Sequence, residues 1–135
     1  MLVLVLAALL QSTPPPQLRT VGKGPVSAIE QARQVTVRSA ADWEKLWKEN
    51  GANAPLPAVD FSREMVVGVF LGRRPTAGYG VETVRTIGNS SALVVEYVET
   101  APSRDSITAQ ILTAPYHLVA IPKHDGAVTF KKVDK

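Results

Sequence analysis

The chain has no cysteine and only two histidines among its 135 residues. The absence of cysteine excludes a disulfide framework, a thiolate zinc site, a cysteine nucleophile and a cysteine-linked lipid anchor. The histidines, His117 and His124, fall in different predicted elements, and neither has the neighbours of a metal site or a catalytic triad. We therefore expect a non-enzymatic chain with no metal and no cofactor.

Clusters of charge of one sign are also scarce. Fifteen Lys and Arg residues against twelve Asp and Glu give a formal net charge of +3, and the basic residues are scattered except for two adjacent pairs. Nucleic-acid binding needs a basic stripe with interleaved aromatic residues, so we expect no nucleic-acid partner. The acidic residues do not cluster as an acid/base pair or a calcium loop would require.

The N-terminal segment contains an apolar run at residues 2–10 followed by a proline-rich stretch. The run is about half as long as a membrane-spanning helix and matches the hydrophobic core of a secretory signal peptide. A buried N-terminal strand or helix is the alternative. We predict a signal peptide at 1–12, a tether at 13–17 and a single β-rich domain at 18–135. The mature chain would then lack an integral membrane span and be secreted or periplasmic, in the cell envelope of a bacterium.

One amphipathic helix is predicted over Ala40–Asn50. Ser39 is a favourable N-cap, and Trp43 and Trp47 lie one turn apart on the same face. So short a helix is stable only if this face packs on an apolar surface, which we expect to be a sheet.

The remaining chain has turn signals every eight to twelve residues from Asp60 onward, a spacing typical of β-rich domains. Hairpin-type connections are expected at 88–91 and 124–126, and such short connections favour antiparallel neighbours. The predicted fold class is β-rich, all-β to α+β: an antiparallel β-sandwich or curved sheet with one packed amphipathic helix. Strands are predicted at 31–38, 65–71, 80–87, 92–100, 107–112, 116–121 and 128–132, with an edge strand within 17–29.

The loop after the apolar run 65–71 is the main candidate for function. Proline stiffens this loop and two glycines give its backbone freedom, while it lacks the residue types of a nucleophile, a general base or a metal site. We expect Tyr79 to provide contact area and the two arginines to meet carboxylates of a protein partner. The loops at 101–103 and 114–116 would enlarge this surface if they lie at the same end of the sandwich. The predicted partner-binding residues are Arg73, Arg74, Pro75, Thr76, Gly78 and Tyr79.

Several short motifs together resemble the C-terminal domain of the PrcB family. They are Trp43 with Trp47, Val59-Asp60-Phe61, Leu71-Gly72, the segments 74–79 and 94–99, Ala101-Pro102, and the segment 115–122. The resemblance implies a non-catalytic accessory protein that associates with, and stabilises, a secreted subtilisin-type serine protease. Characterised members of this kind are lipoproteins, and this chain departs from them because it has no cysteine.

A second, shorter resemblance involves Pro75-Thr76-Ala77-Gly78-Tyr79. It is similar to the Pro-Thr-Thr-Gly-Tyr loop of chagasin-type inhibitors of cysteine proteases, which are immunoglobulin-like β-sandwiches. This resemblance implies a protease inhibitor. A cell-envelope binding module of unknown ligand is the remaining alternative.

Overall fold

The computed structural model describes residues 18–134. The predicted signal peptide at 1–12 and tether at 13–17 lie outside the described residues. Within the described part, no helix has the length and apolar character needed to cross a membrane. The elements, in chain order, are β1 (Arg19–Gly24), β2 (Arg33–Val37), α1 (Ala40–Asn50), β3 (Glu64–Phe70), β4 (Gly80–Gly88), β5 (Ala92–Thr100), β6 (Tyr116–Pro122) and β7 (Ala127–Lys132).

The strands form two sheets that pack face to face. The larger sheet has the order β1-β6-β3-β2 and is antiparallel throughout, and the smaller has the order β4-β5-β7. Alternate apolar side chains of the central strands meet between the sheets, as period-two patterning requires. This part of the core contains Met65 and Val67 of β3, Val119 and Ile121 of β6, and Leu93 and Val95 of β5. The predicted β-rich fold class with one packed helix is confirmed.

Helix α1 covers the outer face of the larger sheet. Its N-cap Ser39 accepts a hydrogen bond from the Asp42 backbone N–H at 3.2 Å, as the sequence predicted. The buried Trp43 and Trp47 pack on this sheet, and their ring centroids are 5.6 Å apart. A side chain at Gly22 of β1 would lie 2.9 Å from the Trp47 ring, so the glycine allows the helix to approach closely.

The predicted strand at 107–112 is wrong. These residues belong to a long irregular connection between β5 and β6, and they join neither sheet. Isoleucine and threonine favour strands, but a segment with this preference forms a strand only where a pairing partner is present. We call residues 101–115 the 101–115 connection.

The predicted hairpin at 124–126 is also wrong, although the strands on either side of it are correct. Strand β6 lies between β1 and β3, so neither of its edges is free to pair with β7. The chain therefore crosses to the smaller sheet, where β7 pairs with β5 in the parallel direction. The Arg38 guanidinium fixes this crossover by donating to the carbonyls of His124 and Gly126 at 3.2 and 2.7 Å.

Candidate functional site

The 73–79 loop leaves the end of β3 through a glycine that no other residue could replace without strain. Gly72 has φ of 82°, and an added Cβ would lie 2.7 Å from the backbone nitrogen of Ala32. At the far end of the loop, Gly78 has φ of 98°. Both values lie in the region that side chains disfavour, so these glycines set the shape of the loop.

Backbone hydrogen bonds join the 73–79 loop to the 101–115 connection. Arg74 and Thr113 exchange two of them, at 2.7 and 2.9 Å, as in one step of an antiparallel ladder. The Ala77 N–H donates to the Ala109 carbonyl at 3.0 Å, and the Thr113 hydroxyl donates to the Thr76 carbonyl at 2.9 Å. The loop is therefore fixed along its length and not only at its two ends.

The proline-containing loops named in the sequence analysis lie at the same end of the sandwich as the 73–79 loop. A Cβ at Gly78 would be 2.9 Å from Pro102 and 3.3 Å from Thr108, so the two segments touch there. The Leu71 N–H donates to the Pro115 carbonyl at 3.0 Å. Residues 72–79 and 101–115 therefore form one continuous surface, which we call the loop face.

Both arginines of the loop are paired with carboxylates of the same chain. Arg73 forms an ion pair with Glu30, and each side chain is more than half exposed, at 59% and 55%. Arg74 donates to Glu99 at 3.0 Å and to the Leu71 carbonyl at 3.0 Å, and its side chain is 27% exposed.

The arginine pairs correct one part of the sequence interpretation. We expected Arg73 and Arg74 to be available to carboxylates of a partner, but each already has a carboxylate within the chain. The sequence could not show this, because Glu30 and Glu99 are 43 and 25 residues away from their respective partners. Arg73 could still exchange partners because its ion pair is exposed, whereas Arg74 serves to hold the loop.

Tyr79 lies partly buried beside Arg74 rather than deep in the core. The Arg74 guanidinium carbon is 5.8 Å from the centroid of the Tyr79 ring, a cation–π distance. Thr76 is also partly buried, whereas Pro75 and Gly78 are exposed. The six residues predicted for partner binding therefore share one surface but differ in how far each reaches solvent.

The 101–115 connection contributes apolar side chains that the sequence interpretation did not assign to the site. Ile107 is 101% exposed, Ile111 is 56% exposed and Leu112 is 62% exposed. The sequence signal was present, but we assigned it to a paired strand. Three large aliphatic side chains exposed on one loop need an explanation, because exposed apolar groups commonly mark interaction sites.

A cleft of about 410 Å³ adjoins the loop face. Leu112 and Val26, which is 60% exposed, form its apolar walls, and the Arg73–Glu30 ion pair lies at its rim. Val26 is held there by a bridge to Ala114. The cleft extends the apolar surface beyond the loops themselves.

The two histidines have structural contacts. His117 is buried, its Nδ1 accepts from the Thr83 N–H at 2.8 Å, and its Nε2 lies 2.8 Å from the Thr20 hydroxyl. Burial and the nearby Lys23 charge lower the pKa of His117 from 6.5 to about 4, so the ring is neutral at pH 7. His124 binds the Asn89 carbonyl and the Gly126 N–H in the β6–β7 crossover.

The described residues contain no group of three or more His, Cys, Asp or Glu side chains that could hold a metal ion. Both ring nitrogens of His117 have hydrogen-bond partners among residues 18–134, namely the Thr20 hydroxyl and the Thr83 N–H.

A comparison with family models identifies the segment that contains the loop face. The model described as PrcB C-terminal matches residues 65–122. This confirms the resemblance to the PrcB family, and the match includes both the 73–79 loop and the 101–115 connection. No curated protein and no solved structure matches the chain significantly. The similarity to chagasin-type inhibitors receives no support from these comparisons.

Proposed function

We propose that this chain, whose residues 65–122 match the PrcB C-terminal family, is a non-catalytic accessory subunit of an extracytoplasmic protease. The partner would be a subtilisin-type serine protease, which the subunit binds and stabilises outside the cytoplasm. The family match supports association with a protease.

The observation that carries the proposal is the exposed apolar surface on the loop face. Ile107, Ile111 and Leu112 project from a connection that is hydrogen-bonded to the 73–79 loop. Exposure of such side chains is unfavourable by about 25 cal/mol for each Å² of apolar area, so covering them in a complex would favour association. The hydrogen bonds below them fix the surface before binding, which reduces the entropy cost of ordering it.

The polar groups around this apolar centre fit a protein interface. The Arg73–Glu30 pair is exposed at the rim of the cleft, where a partner charge could interact with either member. Tyr79 and the exposed Pro75 add contact area of low conformational entropy. Apolar centres with polar rims are typical of protein–protein interfaces.

The test uses the subtilisin-type protease secreted by the source organism, with its serine blocked by phenylmethanesulfonyl fluoride. Calorimetric titration should show binding to the wild-type chain. The double substitution Ile107→Ser and Ile111→Ser should weaken binding by about 2–4 kcal/mol. Ile87→Ser is the matched control, because Ile87 is 51% exposed on β4 and lies toward the opposite end of that strand from the loop. Absence of binding by the wild-type chain, or equal weakening by Ile87→Ser, would contradict the proposal.

Protease inhibition is the second candidate, favoured by the fixed shape of the 73–79 loop. The bonds from Ala77 to Ala109 and from Thr113 to Thr76 hold this loop in one conformation, as inhibitor loops require. A peptidase assay with the unblocked protease separates the two functions. An accessory subunit leaves the initial rate of hydrolysis unchanged, whereas an inhibitor lowers it in proportion to the chain added.

A further inference from the structure

We infer that residues 107–112 become a β-strand when the partner binds, by pairing with an extended segment of that partner. The inference rests on the proposed function, because it specifies how the loop face would hold a protein. It concerns the backbone of the 101–115 connection, whereas the proposed function depends on its exposed side chains.

The first argument is the set of backbone donors in this segment. Among the described residues, none of the six N–H groups of residues 107–112 has a hydrogen-bond partner within the protein. A row of backbone groups bonded only to solvent is what an unpaired sheet edge presents, and such edges readily accept another strand.

The second argument is that the segment is already bonded on one side to the 73–79 loop. Arg74 pairs with Thr113, and Ala77 donates to Ala109, so the two segments run antiparallel. In a strand, the backbone groups of successive residues point to opposite edges. A strand that keeps the bond between Ala77 and Ala109 would therefore direct the backbone groups of Thr108 and Gln110 away from the 73–79 loop, toward a partner.

The third argument is the composition of the segment. Ile107-Thr108 and Ile111-Leu112 contain three residue types that favour strands or apolar contacts, and the segment has neither proline nor glycine. No non-glycine residue among those described has positive φ, so none of the residues 107–112 is in the left-handed region that a strand excludes. The strand predicted from the sequence would thus form only in the complex.

These features favour a polypeptide over a lipid surface. A lipid could cover Ile107 and Ile111, but it cannot supply the regular series of carbonyl acceptors that the backbone N–H groups need. Arg73 and Arg74 are paired with carboxylates, and the third cation of the loop face, the exposed Arg104, is followed directly by Asp105. The loop face therefore has no cluster of unpaired cations of the kind that attracts anionic membranes. The occupant that fits is an extended segment of the partner.

The experiment compares Gln110→Pro with Gln110→Ala, using the blocked protease as the probe. Proline removes the backbone donor, whereas alanine keeps it and removes only an exposed side chain. We expect Gln110→Pro to weaken binding by about tenfold, and Gln110→Ala to bind within about twofold of the wild-type chain. Thermal unfolding of both variants checks that the fold is unchanged.

Hydrogen exchange of the wild-type complex provides a second measurement that needs no substitution. Amides at 107–112 should exchange quickly in the free chain, and those of Thr108 and Gln110 should exchange at least about tenfold more slowly in the complex. Fast exchange in a complex that does form, or equal binding by the proline and alanine variants, overturns the strand inference and leaves the proposed function intact. If the wild-type chain does not bind the protease, both fall. A third outcome would also overturn the strand inference. In it, the wild-type chain binds phosphatidylglycerol vesicles, and Ile107→Ser abolishes vesicle binding but leaves protease binding unchanged.

Discussion

His117 joins the two sheets through a hydrogen bond that only its neutral form can accept. Its Nδ1 on β6 receives the Thr83 N–H of β4, and the lowered pKa of about 4 reflects its burial beside Lys23, with Glu82 partly offsetting the effect. The folded pKa is below the ordinary value of 6.5, so the unfolded chain binds the proton more readily. The contribution of His117 to stability is therefore complete above pH 6.5 and is lost as the pH falls toward 4.

Urea unfolding between pH 7 and pH 4 measures this loss. The wild-type free energy of unfolding should decrease across that range more steeply than that of His117→Gln, which cannot titrate there. All other ionisable groups are present in both proteins, so the difference between the two slopes reports on His117. Parallel slopes would show that the ring does not link protonation to folding.

Gly78 determines how closely the 73–79 loop approaches the 101–115 connection. Gly78→Ala would place a methyl group 2.9 Å from Pro102 and would force a side chain to adopt φ of 98°. We expect the free energy of unfolding to fall by about 1–3 kcal/mol, as measured by chemical denaturation. Gly80→Ala is the control, because Gly80 has no positive φ and its nearest neighbour is a hydroxyl that can rotate. Similar losses in both variants would remove the special role of Gly78.

Tyr79 contributes more to binding than to stability in the proposed function. Tyr79→Ala should weaken binding to the blocked protease by about 1–3 kcal/mol. Because the ring is only partly buried and its main polar contact is with Arg74, unfolding should become easier by no more than about 1 kcal/mol. Tyr79→Phe keeps the ring and should behave like the wild type. A large fall in melting temperature with unchanged affinity would show that Tyr79 is a core residue.

At the scale of elements, α1 depends on its tryptophans because it is too short to be stable alone. Trp43 is 2% exposed, and its indole N–H donates to the Pro57 carbonyl at 3.0 Å. Trp43→Ala should lower the free energy of unfolding by about 3–5 kcal/mol, as measured by denaturant titration. The exposed Lys45 lies on the opposite face, and Lys45→Ala should change it by less than about 0.5 kcal/mol. Equal effects would mean that the helix is not packed through this face.

The sequence predicted an element well where the signals for it lie within a few residues of one another. The helix bounds Ala40–Asn50 and the strand bounds Ala92–Thr100 match the prediction, because an N-cap, an apolar stripe and a short turn act within a few residues. The pairing of β7 could not be predicted in this way. It depends on which strand edges remain free after β6 has been enclosed, and that is a property of the assembled sheet.

In the candidate site too, features set by neighbouring residues could be predicted, and features set by contacts distant in sequence could not. Glycine, proline and tyrosine in and beside the 73–79 loop predicted a shaped loop, and the positive φ of Gly72 before it and of Gly78 within it bear this out. The carboxylate partners of its arginines and the exposure of Ile107 depend on contacts across the chain. A β-favouring segment at the protein surface looks the same in sequence whether or not it has a partner strand.

At the scale of the whole molecule, the packed core and the surface proposed for recognition lie in different parts of residues 18–134. Most of the buried side chains lie in the tryptophan helix and the facing sheets, whereas the loop face has three large exposed aliphatic residues. Substitutions of these exposed aliphatic residues should therefore change association without unfolding the chain. Because these substitutions leave the chain folded, the proposed stabilising role can be tested by measuring how much protease activity survives heating.

Binding that favours the folded state of a protease must slow its loss by unfolding and self-digestion. At a free subunit concentration of 100 times the dissociation constant, linkage stabilises the folded partner by about 2.7 kcal/mol. Residual activity of the unblocked protease after heating should thus increase with added wild-type chain and with Ile87→Ser. It should not increase with the Ile107→Ser and Ile111→Ser double variant, which lacks the apolar centre of the loop face. Protection by the double variant equal to that of the wild type would mean that another surface holds the protease.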